Sequence, residues 1–171
     1  MSAIDGFAPI VSGSPSVLIV GTMPSEASLS KQQYYGHCRN AFWPIMGVLC
    51  GFNPELEYEY RKERLVEKGV AVWDVLQSCK RLGSLDGNIK QSTIVTNDFA
   101  GFFTEYKGIN RVFFNGKMAE KVFQNKVLPT LNNRFTYLEY QCLPSTSPAN
   151  ATLNLEQKIA SWKVIKQSVL K

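Results

Sequence analysis

The sequence predicts an α/β protein, a three-layer α/β/α sandwich around a mostly parallel, four-stranded central sheet. Four short apolar runs alternate with segments of helical pattern along the whole chain, which is typical of βα units. The first run, VLIVG, has no polar side chain, as expected for a strand covered on both faces. The chain has 171 residues, of which 44% are hydrophobic, enough for a substantial core. We therefore expect a single domain over residues 1–171.

The predicted strands are these four runs. Each ends where a glycine, a proline or a polar residue interrupts the apolar pattern. The first, VLIVG, ends in a glycine, and Asn115-Gly116 breaks the third, RVFF. The predicted bounds are residues 17–21, 70–76, 111–114 and 135–144.

The predicted helices lie between these runs and after the last one. Pro44 is compatible with a first helical turn, and Asn97 is a plausible N-cap. The last segment repeats apolar residues at helical spacing, which indicates an amphipathic helix. The predicted helices cover residues 41–52, 55–67, 97–106, 117–125 and the segment from Leu155 to Val169, while 1–15 and 22–40 are expected to be loops.

Three of the four strands lead into conspicuous polar loops. These are GTMPS (21–25), the loop beyond WDVL and LPSTSPAN (143–150). Because ligands of open α/β sheets bind outside the carboxyl ends of the strands, the sequence predicts a site where these loops meet.

The composition favours an intracellular protein with a polyanionic partner. The net charge is +5, from 19 Lys and Arg against 14 Asp and Glu, which suits nucleic acid. The four cysteines are scattered, and the sequence MSAIDGFAP does not resemble a signal peptide. No apolar run approaches the roughly 20 residues of a membrane span. We expect a cytoplasmic protein, associated with the nucleoid if prokaryotic, without a membrane partner.

The first polar loop could bind a ligand closely. Gly21 lets the backbone approach a ligand, and Ser25 could donate to a phosphate or cap a helix. A plain turn from strand to loop explains the same residues.

The segment YYGHCRNAFW (34–43) concentrates aromatic and polar side chains. Aromatic rings can stack on a base removed from its helix, and an amide can read a base edge. Each residue also has a structural explanation, since Phe42 could belong to the core, His37 could be structural, and Asn40 could cap the following helix.

The last loop, LPSTSPAN, carries hydroxyl side chains between prolines. Neutral hydroxyls can hold backbone phosphates, although a proline-fixed turn before a helix is an equal alternative. Other chemistries lack their motifs. There is no phosphate-binding GxxxxGK[ST] or GxGxxG stretch, no nucleophile elbow for the single histidine, and no pair of metal ligands at suitable spacing.

Taken together, these segments resemble the uracil-DNA glycosylase superfamily, and specifically its hypoxanthine-DNA glycosylase branch. The resemblance covers roughly residues 17–150. It implies an α/β/α sandwich and a monomeric, monofunctional base-excision enzyme that acts on DNA without metal or cofactor. The motifs that carry it are GTMPS, YYGHCRNAFW, WDVLQSCKRLGSLDGNI, FNGKMA and LPSTSPAN.

The resemblance also implies roles for single residues. Phe42 matches the aromatic residue that stacks on the extruded base, and Asp74 stands where relatives often have a base-reading asparagine. Asn40 is expected to act in catalysis by positioning water or bonding the base, assisted by His37 if it faces the pocket. The residues expected to border the base are Gly21, Thr22 and Met23, and those expected to hold the DNA backbone are Ser25, Arg39, Ser145 and Ser147.

The chain departs from the wider superfamily at three positions. Met23 replaces the polar residue that positions the attacking water in many relatives, and Leu143 replaces the His or Asn that opens their last motif. Ser147 stands where relatives carry the wedge that fills the vacated stack. A glycosylase acting mainly on mismatched uracil and a non-catalytic sensor of distorted DNA are therefore the alternatives.

Overall fold

A computed structural model describes residues 1–169 and has the predicted central sheet. The strands are β1 (Ile4–Asp5), β2 (Val17–Gly21), β3 (Val70–Asp74), β4 (Leu76–Cys79), β5 (Val95–Thr96), β6 (Arg111–Asn115) and β7 (Glu139–Leu143). The four long strands pair in the order β3-β2-β6-β7, and all three pairings are parallel. The expectation of a parallel, four-stranded sheet is confirmed.

Helices cover both faces of this sheet. They are α1 (Glu26–Lys31), α2 (Phe42–Cys50), α3 (Tyr58–Glu67), α4 (Phe99–Glu105), α5 (Lys117–Val122) and α6 (Leu155–Val169). Successive residues of β2 face opposite sides, because side chains alternate along a strand. Val17 and Ile19 join a core with α2 and α6, while Leu18 and Val20 join a second core with α4 and α5. These two cores make the three-layer sandwich.

The second predicted strand is shorter than expected because the chain turns at its end. Val75 separates β3 from β4, and β4 leaves the main sheet to pair with β1 and β5 in a small antiparallel sheet. This turn leaves Asp74 at the carboxyl end of β3.

Among the other differences from the predicted elements, three have clear local reasons. Helix α4 is capped by Asp98 rather than Asn97, since the Asp98 carboxylate accepts from the Gly101 amide at 3.0 Å. Phe135 ends a 3₁₀ turn, so β7 begins only at Glu139. The loop predicted for residues 22–40 contains the short helix α1, which Ser25 caps.

Within the described residues, no helix is long and apolar enough to cross a membrane.

Candidate functional site

A cavity of about 410 Å³ lies at the carboxyl edge of the central sheet. The sheet register brings Gly21 beside Asp74 and Asn115 beside Leu143 at this edge. The predicted meeting of the polar loops is therefore found. The lining residues are Gly21, Thr22, Met23, Pro24, Ser25, Ser28, Tyr34, Tyr35, Asn40, Asp74, Ser84, Leu85, Asp86, Asn115, Ser145, Thr146, Ser147, Ala149 and Asn150.

Gly21 forms the place where two polar groups converge. A Cβ atom at this position would lie 2.6 Å from Asp74 Oδ1 and 3.0 Å from Tyr35 Oη. Real Cβ atoms essentially never show the first distance, and the second is tighter than nine in ten real Cβ contacts. Glycine is therefore required here for space, because a side chain would displace either the carboxyl group or the hydroxyl.

Asp74 is a buried carboxyl group within the cavity wall. Only 4% of the residue is exposed, and Oδ2 has no hydrogen-bond partner. Burial raises the pKa of Asp74 to about 7, and the charge of Asp86 adds to this effect while Arg81 opposes it. The group therefore exists in both protonation states near neutral pH.

Tyr35 supplies an aromatic ring to the cavity. Its backbone is left-handed, with φ of 54°, a conformation uncommon for residues other than glycine. The ring stacks on Phe42 with centroids 4.0 Å apart and planes 23° apart. Its hydroxyl is buried without a partner, and burial raises the Tyr35 pKa, so the hydroxyl remains protonated. Such strained residues concentrate at functional sites.

Phe42 does not line the cavity, which corrects the role expected for it. Its exposed fraction is 0%, and it packs edge-on against Trp43 and Trp162 beneath Tyr35. The alternative that Phe42 belongs to the core is confirmed. The aromatic residues that line the cavity are Tyr34 and Tyr35, and Tyr35 is the one that stacks on Phe42.

Truncating Phe42 should act on stability, because a fully buried ring is removed from the core. We expect Phe42→Ala to lower the free energy of unfolding by about 3–5 kcal/mol. Denaturant titration followed by tryptophan fluorescence measures this loss, with exposed Val48→Ala as the control. An unchanged midpoint would contradict the placement of Phe42 in the core.

Asn40 combines a structural and a cavity-facing role. Its Oδ1 accepts from the Phe42 amide at 2.9 Å, which satisfies a donor in the first turn of α2. This bond fixes the orientation of the side-chain amide. The Nδ2 group donates to no described residue, and Asn40 lines the cavity. Both interpretations of Asn40, helix cap and site residue, fit the same geometry.

His37 and Arg39 lie outside the cavity lining. His37 Nδ1 accepts from the Arg39 amide at 3.1 Å, so the imidazole is hydrogen-bonded within its own loop. The condition for a catalytic role of His37, that it faces the pocket, is not met. Arg39 is exposed, and it directly precedes Asn40.

Thr146 joins three segments of the site. Its amide donates to Asn115 Oδ1 and its hydroxyl accepts from Asn115 Nδ2, both at 2.9 Å. Its carbonyl accepts from the Ala41 amide at 3.0 Å. Thr146 therefore links the end of β6, the last loop and the start of α2. Its bond to Ala41 holds the neighbouring Asn40 in place.

The hydroxyl groups of the last loop retain free donors. Ser145 Oγ accepts from the Ser147 amide, and Ser147 Oγ accepts from the Ala149 amide, both at 3.2 Å. Since a hydroxyl also has one O–H donor, each serine can still donate to an anion. Lys117 is exposed and follows Gly116, where an added Cβ atom would lie 3.0 Å from Ser145 Cβ.

Tyr35, Asp86 and Leu85 are among the eleven lining residues that the sequence analysis did not assign to the site. Tyr35 stands in the aromatic segment, but its left-handed backbone has no signature in the sequence. Asp86 and Leu85 come from the polar loop after β4. Their triplet SLD (84–86) lies within the motif WDVLQSCKRLGSLDGNI. Eight of the predicted residues do line the cavity, namely Gly21, Thr22, Met23, Ser25, Asn40, Asp74, Ser145 and Ser147.

Comparison with known proteins found relatives that match over nearly the whole chain. A Methanosarcina acetivorans protein described as a hypoxanthine DNA glycosylase is 32% identical over 161 residues, which cover 94% of this chain and 96% of that protein. A Methanosarcina barkeri protein of the same description is 35% identical over 158 residues, covering 92% and 94%.

A solved structure resembles the fold equally completely. It is the solution NMR structure of a Methanosarcina acetivorans protein described provisionally as a uracil DNA glycosylase. It superposes with a TM-score of 0.81 at 30% identity and covers 98% of this chain and 99% of its own. No family model matches the chain.

Proposed function

This chain belongs to the hypoxanthine DNA glycosylase family, and from that premise we propose that it removes deaminated bases, chiefly hypoxanthine, from DNA. It acts as a monofunctional glycosylase that extrudes the damaged nucleotide and hydrolyses the bond between base and deoxyribose. The observation that carries this proposal is the cavity itself, which is large enough for one base and combines Asp74, Tyr35 and Asn40. Base-modifying enzymes need such a pocket because the target atoms are inaccessible within a duplex.

Asp74 is suited to reading the edge shared by deaminated bases. Hypoxanthine and uracil both present an N–H next to a carbonyl, as guanine and thymine also do, whereas adenine and cytosine, from which the deaminated bases arise, do not. A protonated carboxyl group offers one acceptor and one donor, which complement that edge, whereas a carboxylate would place an acceptor against the carbonyl. The pKa of about 7 for Asp74 supports this role. The same edge on uracil makes mismatched uracil the second candidate substrate.

Tyr35 takes the stacking role first expected of Phe42. Its ring lines the cavity, and its other side is supported by the fully buried Phe42 ring 4.0 Å away. Stacking against an aromatic ring stabilises an extruded base without regard to its identity. Selection among bases therefore falls to the polar groups.

Asn40 is placed to stabilise the leaving base. Cleavage of the glycosidic bond leaves negative charge on the base and positive charge on the sugar. A donor aimed at the base stabilises the transition state more than the ground state. Asn40 Nδ2 can serve as this donor, because Asn40 lines the cavity and its Oδ1 already accepts from the Phe42 amide.

The rim of the cavity is suited to the DNA backbone. Ser145 and Ser147 have free O–H donors, and Arg39 and Lys117 are exposed cations near the polar loops. Ser25 instead donates to Ser28 and caps α1, so its contribution is to shape the loop. Phosphates held beside the sugar also favour its developing positive charge.

The test is a strand-nicking assay on end-labelled duplexes that contain one hypoxanthine, one uracil or only normal bases. With chelator present, we expect cleavage at hypoxanthine only after alkali treatment, since the product of a monofunctional glycosylase is an intact strand with an abasic site. Cleavage at uracil alone would support the second candidate. Binding of lesion duplexes without any cleavage would contradict both and indicate a damage sensor.

A further inference from the structure

The loop after β4 presents large apolar side chains to solvent beside the cavity. Leu82 is 73% exposed and Leu85 is 58% exposed. Single exposed leucines are common on protein surfaces and need no explanation. Leu85 differs because, among the large hydrophobic side chains exposed on the described chain, it is the one that lines the cavity.

The loop that carries these leucines is held firmly. The Arg81 side chain is fully buried, and its guanidinium donates to the carbonyls of Gly83 and Pro24 at 2.7 and 2.5 Å. Ser84 Oγ accepts from the Glu26 amide at 3.0 Å, which ties the loop to the start of α1. The exposure of Leu85 is therefore a property of an ordered loop.

The last loop, which also lines the cavity, offers no comparable side chain. The apex of the last loop consists of Ser147, Pro148 and Ala149, and none of these can fill the space of an extruded base. Proteins that separate stacked bases commonly insert an apolar side chain such as leucine. Of these two loops, only the loop after β4 therefore carries a side chain, Leu85, that is suited to act as a wedge.

We propose that Leu85 is the wedge that enters the DNA duplex and fills the stack vacated by the extruded nucleotide. This inference rests on the proposed function and places the wedge in the loop after β4 instead of the last loop. Leu82 adds a second apolar contact on the same loop. The hydroxyls of Ser145 and Ser147 then hold the backbone from another side of the cavity mouth.

The proposal is tested with Leu85→Ala under single-turnover conditions on a duplex containing hypoxanthine. We expect excision about tenfold to a hundredfold slower than in the unmodified protein, because extrusion is no longer supported. Placing a pyrene nucleotide opposite the hypoxanthine fills the same space from the other strand. It should restore the rate of Leu85→Ala to nearly that of the unmodified protein.

Leu128→Ala is the matched control, because Leu128 is also exposed but does not line the cavity, and it should match the unmodified protein on both duplexes. An unchanged rate for Leu85→Ala, or a loss that pyrene does not restore, would overturn the wedge assignment. Absence of excision by the unmodified protein on both duplexes would instead contradict the proposed function, so the two failures are distinguishable.

Discussion

Replacing Asn40 with aspartate should reduce base excision by about 10²–10³-fold while leaving the protein folded. A carboxylate at this position can still accept from the Phe42 amide, as Asn40 Oδ1 does at 2.9 Å. It cannot donate to the leaving base, and its negative charge opposes the charge that develops there. Single-turnover rates on hypoxanthine duplexes measure the effect.

Asn40→Ala separates the two roles of this side chain. It should lose excision to a similar extent, and it should also lose about 0.5–2 kcal/mol of stability because the helix loses a capping acceptor. Full activity in Asn40→Asp, with stability unchanged, would show that the donor is not needed. The catalytic role would then have to pass to another lining residue.

The rate of excision should fall as the pH rises through about 7, and Asp74→Asn should remove this fall. The acid form of Asp74 prevails below its pKa of about 7 and the carboxylate above it, so the donor toward the base is lost at higher pH. Beyond the pKa the rate should drop about tenfold per pH unit. Asparagine keeps one donor and one acceptor without titrating. Rates measured from pH 5.5 to 9 in both proteins test the expectation.

Asp74→Asn should also change how the stability of the protein depends on pH. Because burial raises the pKa of Asp74 above its ordinary value of 3.8, the folded protein binds more protons than the unfolded chain between these values. Stability is therefore lost as the pH rises from about 4 to about 7. Asp74→Asn should become more stable relative to the unmodified protein over this interval. If the stability of both proteins changed with pH in the same way, a group other than Asp74 would be responsible.

The central sheet and the edge that carries the site could be predicted because burial on both faces leaves a clear pattern. The run at 17–21 has no polar side chain and the run at 111–114 has only Arg111 at its start, and both lie in the middle of the sheet. The helix from Leu155 to Val169 repeats its apolar residues and was also predicted correctly. Because parallel strands have their carboxyl ends at the same edge of a sheet, the polar loops that follow them could be placed at one edge from the sequence alone.

The choice of the stacking ring could not be made from the sequence. Tyr35 and Phe42 stand seven residues apart in one aromatic segment, and their order from the surface inward depends on the left-handed backbone of Tyr35. No residue type other than glycine signals such a conformation reliably. Similarly, the turn at Val75 that sends β4 into the small sheet lies inside VAVWDVL (70–76), a run that reads as one strand.

The bonds of Thr146 to Asn115 and Ala41 have an energetic consequence for DNA binding. Three segments distant in sequence are already fixed to one another, so the conformational entropy of ordering them is lost when the chain folds. DNA binding then does not have to supply it again. More of the contact energy can be directed to unstacking the damaged nucleotide, which is the expensive step for any enzyme that acts on a base inside a duplex.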